Sequence, residues 1–561
     1  MIFDLSFVSF FALIGLAVAA NTGPIVTLTY GSFQGNATGD LVQFLGMPFA
    51  APPVGRLRFA NPQPPVPFAG IRQATQFGAE CFQMDISGDN STAIVGSEDC
   101  LFINVVKPAN IPSGKKLPIL FVSSSPMAHK IPPDSEAEES GFEVGSSTGN
   151  PGNTVVQRSI ALGEPVIFVS PNYRVNAMGF IGGQQIKDAG LGNNGLRDQR
   201  FAMEWVQQHI SAFGGDPTKV IIWGESAGAI SVGMHLVTNN GNPAGLFRGA
   251  FMASESGSPQ VSPDITLQQK FFDSIVNNTG CTGARDPIQC LRTVPFATLG
   301  AAINRVPGFL TETSIQLAFQ PSVDGQFLTR DPQISIQKGL YARVPFVTGD
   351  CDDEGTVFAL ASTSVTTNAG FLDYVQSNFF KGNLPQAELN ALAAAYPSDP
   401  TQGSPFNTGT ANAITPEFKR IAALLGDLGF QSPRRFFLRT ASKTQPTWAF
   451  LFQRGKSTAV TGSSHGSDVP EFFGTGISPD FIGTDALINF ANTLNPTKPS
   501  NPLSLLSGIP WNEYSSSLTN PPMLAFVDPA PAIEITTDTF RQEAMALVAN
   551  ISVQFAGKDV I

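Results

Sequence analysis

Residues 220–228 read VIIWGESAG, four large apolar residues running directly into G-x-S-x-G. The next eight residues, AISVGMHL, can be helical. Strand, sharp turn and helix in that order restrict the fold more than any other stretch. The turn is so tight that only small residues fit two places either side of the serine. It stands the Ser226 hydroxyl clear of a sheet, at the N-terminus of a helix whose dipole favours a negatively charged oxygen. The pattern alone decides nothing, because the chain carries it three times. GSSTG at 145–149 lies in a Gly/Ser/Asn/Pro stretch with no strand before it, and GSSHG at 462–466 lies in a polar loop. Context selects Ser226 as the candidate nucleophile and leaves the other two as loops.

The chain can bury a large core around such a strand, since 42% of its 561 residues are hydrophobic. Its net charge is −11 and no basic run occurs, which argues against a nucleic-acid partner. Residues 1–20 are apolar and end in small residues, with NTGP following. They read as a signal peptide cleaved near Ala20, although Asp4 stands where a basic residue is usual. The rival reading is a membrane anchor. No later stretch is long and apolar enough to span a bilayer, so stable membrane insertion is not expected. Five cysteines suit an oxidising compartment. Cys81 with Cys100 could close one loop and Cys281 with Cys290 a shorter one, leaving Cys351 over. Acceptor sequons at Asn36, Asn90, Asn277 and Asn550 agree with a secreted, extracellular protein.

Residues 25–30 and 40–45 read as short strands around a Gly/Asn turn, and FLGMPFAAPPVGRLRF follows at 44–59. With SEDCLFINV at 97–105, NYRV at 172–175 and GLRDQR at 195–200, the chain closely resembles the type-B carboxylesterase/lipase family. That family includes cholinesterases and secreted fungal lipases and sterol esterases. The resemblance covers residues 22–550. It implies one α/β-hydrolase domain over 21–561, with a large, mostly parallel central sheet and helices on both faces. The residues support this independently. Runs at 166–170 and 220–223 are of the buried-strand kind, and 201–210 has helical spacing that FGGDP at 213–217 stops. By resemblance, Cys81–Cys100 and Cys281–Cys290 are the family's disulfides. Arg58 with Glu98, and Arg174 with Asp198, resemble its buried ion pairs. The Pro/Gly/Ser-rich stretches are scattered and read as surface loops, and no internal repeat is found.

A serine hydroxyl needs an adjacent base, usually a histidine oriented by a carboxylate. In α/β-hydrolases the order along the chain is serine, acid, histidine. Only four histidines exist. His129 and His209 precede Ser226. His235 would lie about 13 Å up the helix that starts at the elbow and cannot reach back. His465 remains, in the loop TGSSHGSD, which resembles the family's histidine loop. Position alone cannot choose the acid. GDCDDEG at 349–355 resembles the family's acid loop, whose glutamate before glycine completes the triad, so Glu354 is assigned by resemblance. Asp352 and Asp353 are fallbacks. The plain alternative is that this acidic cluster binds a cation or is solvated.

Two departures stand out. A tetrahedral intermediate needs backbone N–H donors. Ala227 supplies one, and the family takes the rest from a triple-glycine loop after an early strand. Here the strand LPILF at 117–121 is present, but residues 122–140 are atypical and GFEVG at 141–145 then resumes the pattern. Only Gly141 matches a glycine of that loop. Three readings fit: translated non-coding sequence from an imperfect gene model, a real loop with donors from Ser140 and Gly141, or an impaired protein. Transcript sequencing across codons 115–145 tests the first: an intact in-frame message with no alternative splice form removes it. Second, the loop closed by the first disulfide is only 18 residues, with polar residues and glycine in its middle. It is too short to cover a long acyl tunnel, and weak or no interfacial activation is expected.

The resulting expectation is a secreted serine hydrolase that cleaves small-molecule or lipid carboxylic esters through an acyl-enzyme, with no metal or organic cofactor. The alternative is a non-catalytic family member acting as a binding or adhesion protein.

Overall fold

A computed structural model describes residues 23–88, 92–123, 141–254, 264–312, 314–380, 383–476 and 478–555. Residues 1–20, read above as a signal peptide, and Asn90 and Ser140 lie outside the described residues.

A small sheet joins β1 (Ile25–Leu28), β2 (Gly31–Gln34) and β5 (Ile71–Gln73). The main sheet holds β3 (Asn36–Thr38), β4 (Leu41–Pro48), β6 (Phe102–Pro108), β7 (Leu117–Val122), β8 (Ile167–Pro171) and β9 (Gly215–Glu225). It continues through β10 (Gly249–Ala253), β11 (Phe346–Cys351), β12 (Thr447–Phe452), β13 (Pro522–Phe526) and β14 (Ile533–Thr537). The order is β14-β13-β12-β11-β10-β9-β7-β8-β6-β4-β3. From β13 to β8 every pairing is parallel, and the pairings on both flanks are antiparallel.

The period of two explains why these runs are apolar throughout. In β9, Val220 and Ile222 face one core while Ile221 and Trp223 face the other. β7 and β10 divide likewise, with Ile119, Phe121, Ala250 and Met252 on the first side and Leu120, Val122 and Phe251 on the second. Helices Asn194–His209 and Ala227–Gly241 cover the first face, and Asn153–Ala161 and Ile482–Thr493 the second. Parallel strands covered on both faces read as unbroken hydrophobic runs. The helix expected over 201–210 runs from Asn194 to His209, and Gly214, at φ 88°, turns the chain into β9.

Both disulfides form, Cys81–Cys100 and Cys281–Cys290, and Cys351 is free and buried. Arg58 grips both carboxylate oxygens of Glu98 at 2.6 and 2.8 Å and donates to the carbonyls of Leu291 and Val294. It thereby ties the first disulfide loop to the helix Pro287–Thr293, which carries Cys290 of the second disulfide. Arg174 and Asp198 pair at 2.7 Å with no exposed surface on the carboxylate. A third apolar cluster gathers Phe358, Phe430 and the helices Asn368–Phe379, Phe418–Gly426 and Gln542–Phe555 above the end of β11. Among the described residues no helix is long and apolar enough to cross a membrane.

Candidate active site

Ser226 leaves β9 at φ 51°, ψ −126°, a conformation strained for any residue with a Cβ. Strain of this kind costs about 1–3 kcal/mol. Full burial of one Val, Ile or Phe side chain contributes about 1.5–3 kcal/mol. The four buried residues at 220–223 therefore outweigh it. The Ser226 N–H donates to the Ala253 carbonyl at 3.0 Å, and its own carbonyl accepts from Ile230 to start the helix Ala227–Gly241. A Cβ on Gly224 would stand 2.3 Å from the carbonyl carbon of Gly228, so the elbow folds its two glycines against each other. Ala227 opens the helix, so its N–H belongs to the first turn, where helices lack internal acceptors.

The three residues separated by 128 and 111 positions meet. His465 Nε2 lies 2.7 Å from Ser226 Oγ, and His465 Nδ1 lies 2.5 Å from Glu354 Oε2. The other carboxylate oxygen of Glu354 accepts the Cys351 N–H at 2.6 Å. All three side chains are buried. Phe430 and Phe358 flank the imidazole with ring centroids 4.7 and 5.1 Å away. Burial works against the charge on the Glu354 carboxyl; the Cys351 N–H, the Ser254 hydroxyl and Arg434 favour it, and so does the imidazole N–H beside it.

The neighbouring acids do different work. Asp352 accepts from Lys456 and Gln453 at 2.9 and 3.1 Å. Asp353 is fully buried and points toward the histidine loop. It accepts the backbone N–H groups of Ser463 and Phe406 at 2.9 and 2.8 Å, the Ser404 hydroxyl at 3.1 Å and Lys456 Nζ at 2.6 Å. Its own N–H donates to the Ser463 carbonyl at 2.9 Å. Asp353 is therefore a clamp between the acid and histidine loops, which sequence reasoning held only as a fallback acid. Lys456 bridges the two carboxylates, and among the described residues no group of three or more His, Cys, Asp or Glu could hold a metal ion.

Four further residues at the site carried no signal in the sequence. Ser254 follows β10 beside Cys351, with 3.8 Å between Oγ and Sγ. Glu225 Oε1 lies 3.7 Å from His465 Nε2. Asp468 is fully buried, and burial raises its carboxyl toward about 7. Phe430 sits in a widened π-helical turn, Asp427–Gln431, of a kind found often at functional sites. Gly141 lies half-buried in a turn whose neighbours are pinned by Asn176 and Gln83. Asn277 and Asn550 are exposed, and Asn36, on β3, is half-buried.

A serine elbow on an open, centrally parallel sheet, backed by a histidine and a buried glutamate, defines an α/β-hydrolase. The chain belongs to the carboxylesterase family, whose model matches residues 22–534, and it is a carboxylic ester hydrolase. It is 40% identical over 503 residues to Secreted lipase 1 of Botryotinia fuckeliana, covering 84% of this chain and 85% of that one. It is 40% identical over 515 residues to Lipase 2 of Diutina rugosa, covering 87% and 90%. The crystal structure of Aspergillus niger EstA superposes with a TM-score of 0.79 at 28% identity, over 95% of this chain and 99% of that one. Nothing in the fold or these relatives favours the non-catalytic alternative.

Proposed function

We propose that Ser226 is the nucleophile, His465 the general base and Glu354 the acid of a secreted esterase working through an acyl-enzyme. The observation that carries this is the unbroken line from Ser226 Oγ to Nε2 at 2.7 Å and from Nδ1 to Glu354 at 2.5 Å. His465 takes the hydroxyl proton as Oγ bonds to the ester carbonyl carbon. The tetrahedral intermediate collapses, the alcohol leaves with that proton, and water attacks the acyl-enzyme by the same route in reverse. Glu354, ionised, fixes the imidazole tautomer and stabilises the imidazolium. Ala227 and Gly141 are the proposed oxyanion donors, with Ser140 as a third.

The substrate we infer is a lipid-like or other apolar carboxylic ester. Relatives named as lipases support this, and Phe358 and Phe430, packed on the imidazole, make its surroundings apolar. Entry to the secretory route through residues 1–20 and glycan attachment at Asn36, Asn90, Asn277 and Asn550 are part of the proposal, as is a single domain over 21–561. Relatives named as secreted lipases support the former.

The test is labelling by a fluorophosphonate together with an ester panel from acetate to oleate. Wild type labels and turns over; Ser226→Ala does neither. Equal labelling of both proteins, or none of wild type, overturns the assignment.

A further inference from the structure

Glu143 is a carboxyl with no exposed surface that, among the described residues, forms no ion pair. Its Oε2 accepts the Phe309 N–H at 2.9 Å. The N–H groups of Phe319 and Ala318 also turn toward it and favour its charged form. Oε1 takes no directed hydrogen bond. A hydrocarbon of similar size would fill this space without the desolvation cost of a carboxyl. What the acid supplies is an acceptor for backbone that has none of its own. Between the helix Phe296–Ile303 and the helix Pro332–Gln337 the described residues form no helix or strand, so their buried N–H groups need outside partners.

That segment touches both sides of the site. The Phe309 ring stands 3.1 Å from where a Cβ on Gly141 would be, and Ile315 packs over Gly429, next to Phe430 on the imidazole. The rest of the 141–147 turn is fixed independently, beginning at Phe142 beside Gly141. The Asn176 N–H donates to the Phe142 carbonyl at 2.7 Å, Gln83 accepts the Gly145 N–H at 2.5 Å, and Asn172 accepts the Ser147 N–H at 3.0 Å. On Gly141 itself the packing contact is the Phe309 ring, and Phe309 hangs on Glu143.

We propose that Glu143 is a positioning residue, whose carboxyl holds Phe309 against Gly141 and so fixes the oxyanion side of the site. This rests on the reading of Ser226 as nucleophile and Gly141 as donor. β7 itself ends beside the elbow that follows β9, since Val122 pairs with Trp223 and the Ser123 N–H donates to the Trp223 carbonyl at 2.8 Å. Removing one oxyanion donor outright costs about 10²–10³ in kcat. A donor that is displaced rather than deleted loses part of that.

The experiment compares full-length Glu143→Leu, Glu143→Gln and Phe309→Ala with wild type and Ser226→Ala, on a soluble butyrate ester and by fluorophosphonate labelling rate. Glu143→Leu lowers kcat about tenfold or more while KM moves by less than about twofold, because the donor acts on the transition state. Gln keeps an acceptor oxygen and recovers most of the loss. Phe309→Ala lowers kcat in the same way with Glu143 intact, and it decides the matter if the Leu variant does not fold. The proposal is overturned if folded Glu143→Leu or Phe309→Ala keeps kcat within about twofold of wild type, or if only KM changes. Labelling of Ser226→Ala equal to wild type would instead sink the underlying nucleophile assignment, so the two failures are told apart.

Discussion

Replacing Asp353 by Ala tests whether the acid and histidine loops are held together by one buried carboxylate. The substitution removes the acceptor for Ser463 N–H, Phe406 N–H, the Ser404 hydroxyl and Lys456. Lys456 keeps Asp352 at 2.9 Å, and its side chain is 22% exposed, so its charge relaxes toward water. The two backbone N–H groups cannot do so. At about 1–3 kcal/mol for each unsatisfied buried donor, the loss is about 2–6 kcal/mol, a large part of the 5–15 kcal/mol that holds a typical domain. Asn keeps the shape but offers one oxygen. Either the pair of donors on Oδ1 or the pair on Oδ2 then faces an NH₂ group, and the cost falls between Ala and wild type. Activity should fall with stability, because the same contacts set the His465–Glu354 spacing; a misplacement near 1 Å costs about 10²-fold. Urea unfolding and kcat/KM on a soluble ester read both effects. If Asp353→Ala loses less than about 1 kcal/mol and kcat/KM is unchanged, the clamp argument is wrong.

Gly355→Ala should fail sterically, since its Cβ would stand 2.0 Å from the Ala422 carbonyl oxygen and 2.5 Å from Gly426 N. Overpacking of this order costs about 1–3 kcal/mol or more and displaces Glu354, so both the melting temperature and kcat fall; an unchanged pair of values refutes it. The first disulfide loop is tied down, with Asn304 bonded to Asp85 N–H and to the Ala93 carbonyl and with Phe82 packed on Phe296. Ester hydrolysis should therefore rise smoothly through the substrate's solubility limit, and a sharp jump there contradicts a tied-down flap. Burial raises Glu143 to about 8, and Asp350 and Asp468 to about 7, from ordinary values near 4. The native state thus holds protons that the unfolded chain has released, and each such proton lowers stability by about 1.4 kcal/mol per pH unit across that window. Asp538, held low by Arg434 and Arg435 against its burial, acts oppositely only in acid. Unfolding free energy should be higher near pH 5.5 than at pH 8, and a flat or rising profile rejects the assignment.

Legibility followed the range of the interactions. The elbow could be read because its causes are local: β9 alternates faces within one run, and the two glycines meet across four residues. His465 could be read because only four histidines compete and two come too early. The fold followed from motifs and from buried-strand runs that only a sheet covered on both faces produces. The acid loop was different. Three adjacent carboxylates, Asp352, Asp353 and Glu354, look equivalent along the chain, and only resemblance chose among them. Partners more than 100 residues away separate them, namely Lys456, the Ser463 backbone and the His465 imidazole. Glu143 is harder still. It stands within a recognised motif, but its partners are backbone N–H groups, which leave no trace in residue type, so no inspection of residues 309–319 announces an acceptor 166 positions earlier. A carboxyl that serves main chain rather than a cation is invisible to charge pairing. Where a buried acid has no basic residue to explain it, the question to ask of the fold is which irregular backbone would otherwise go unpaired.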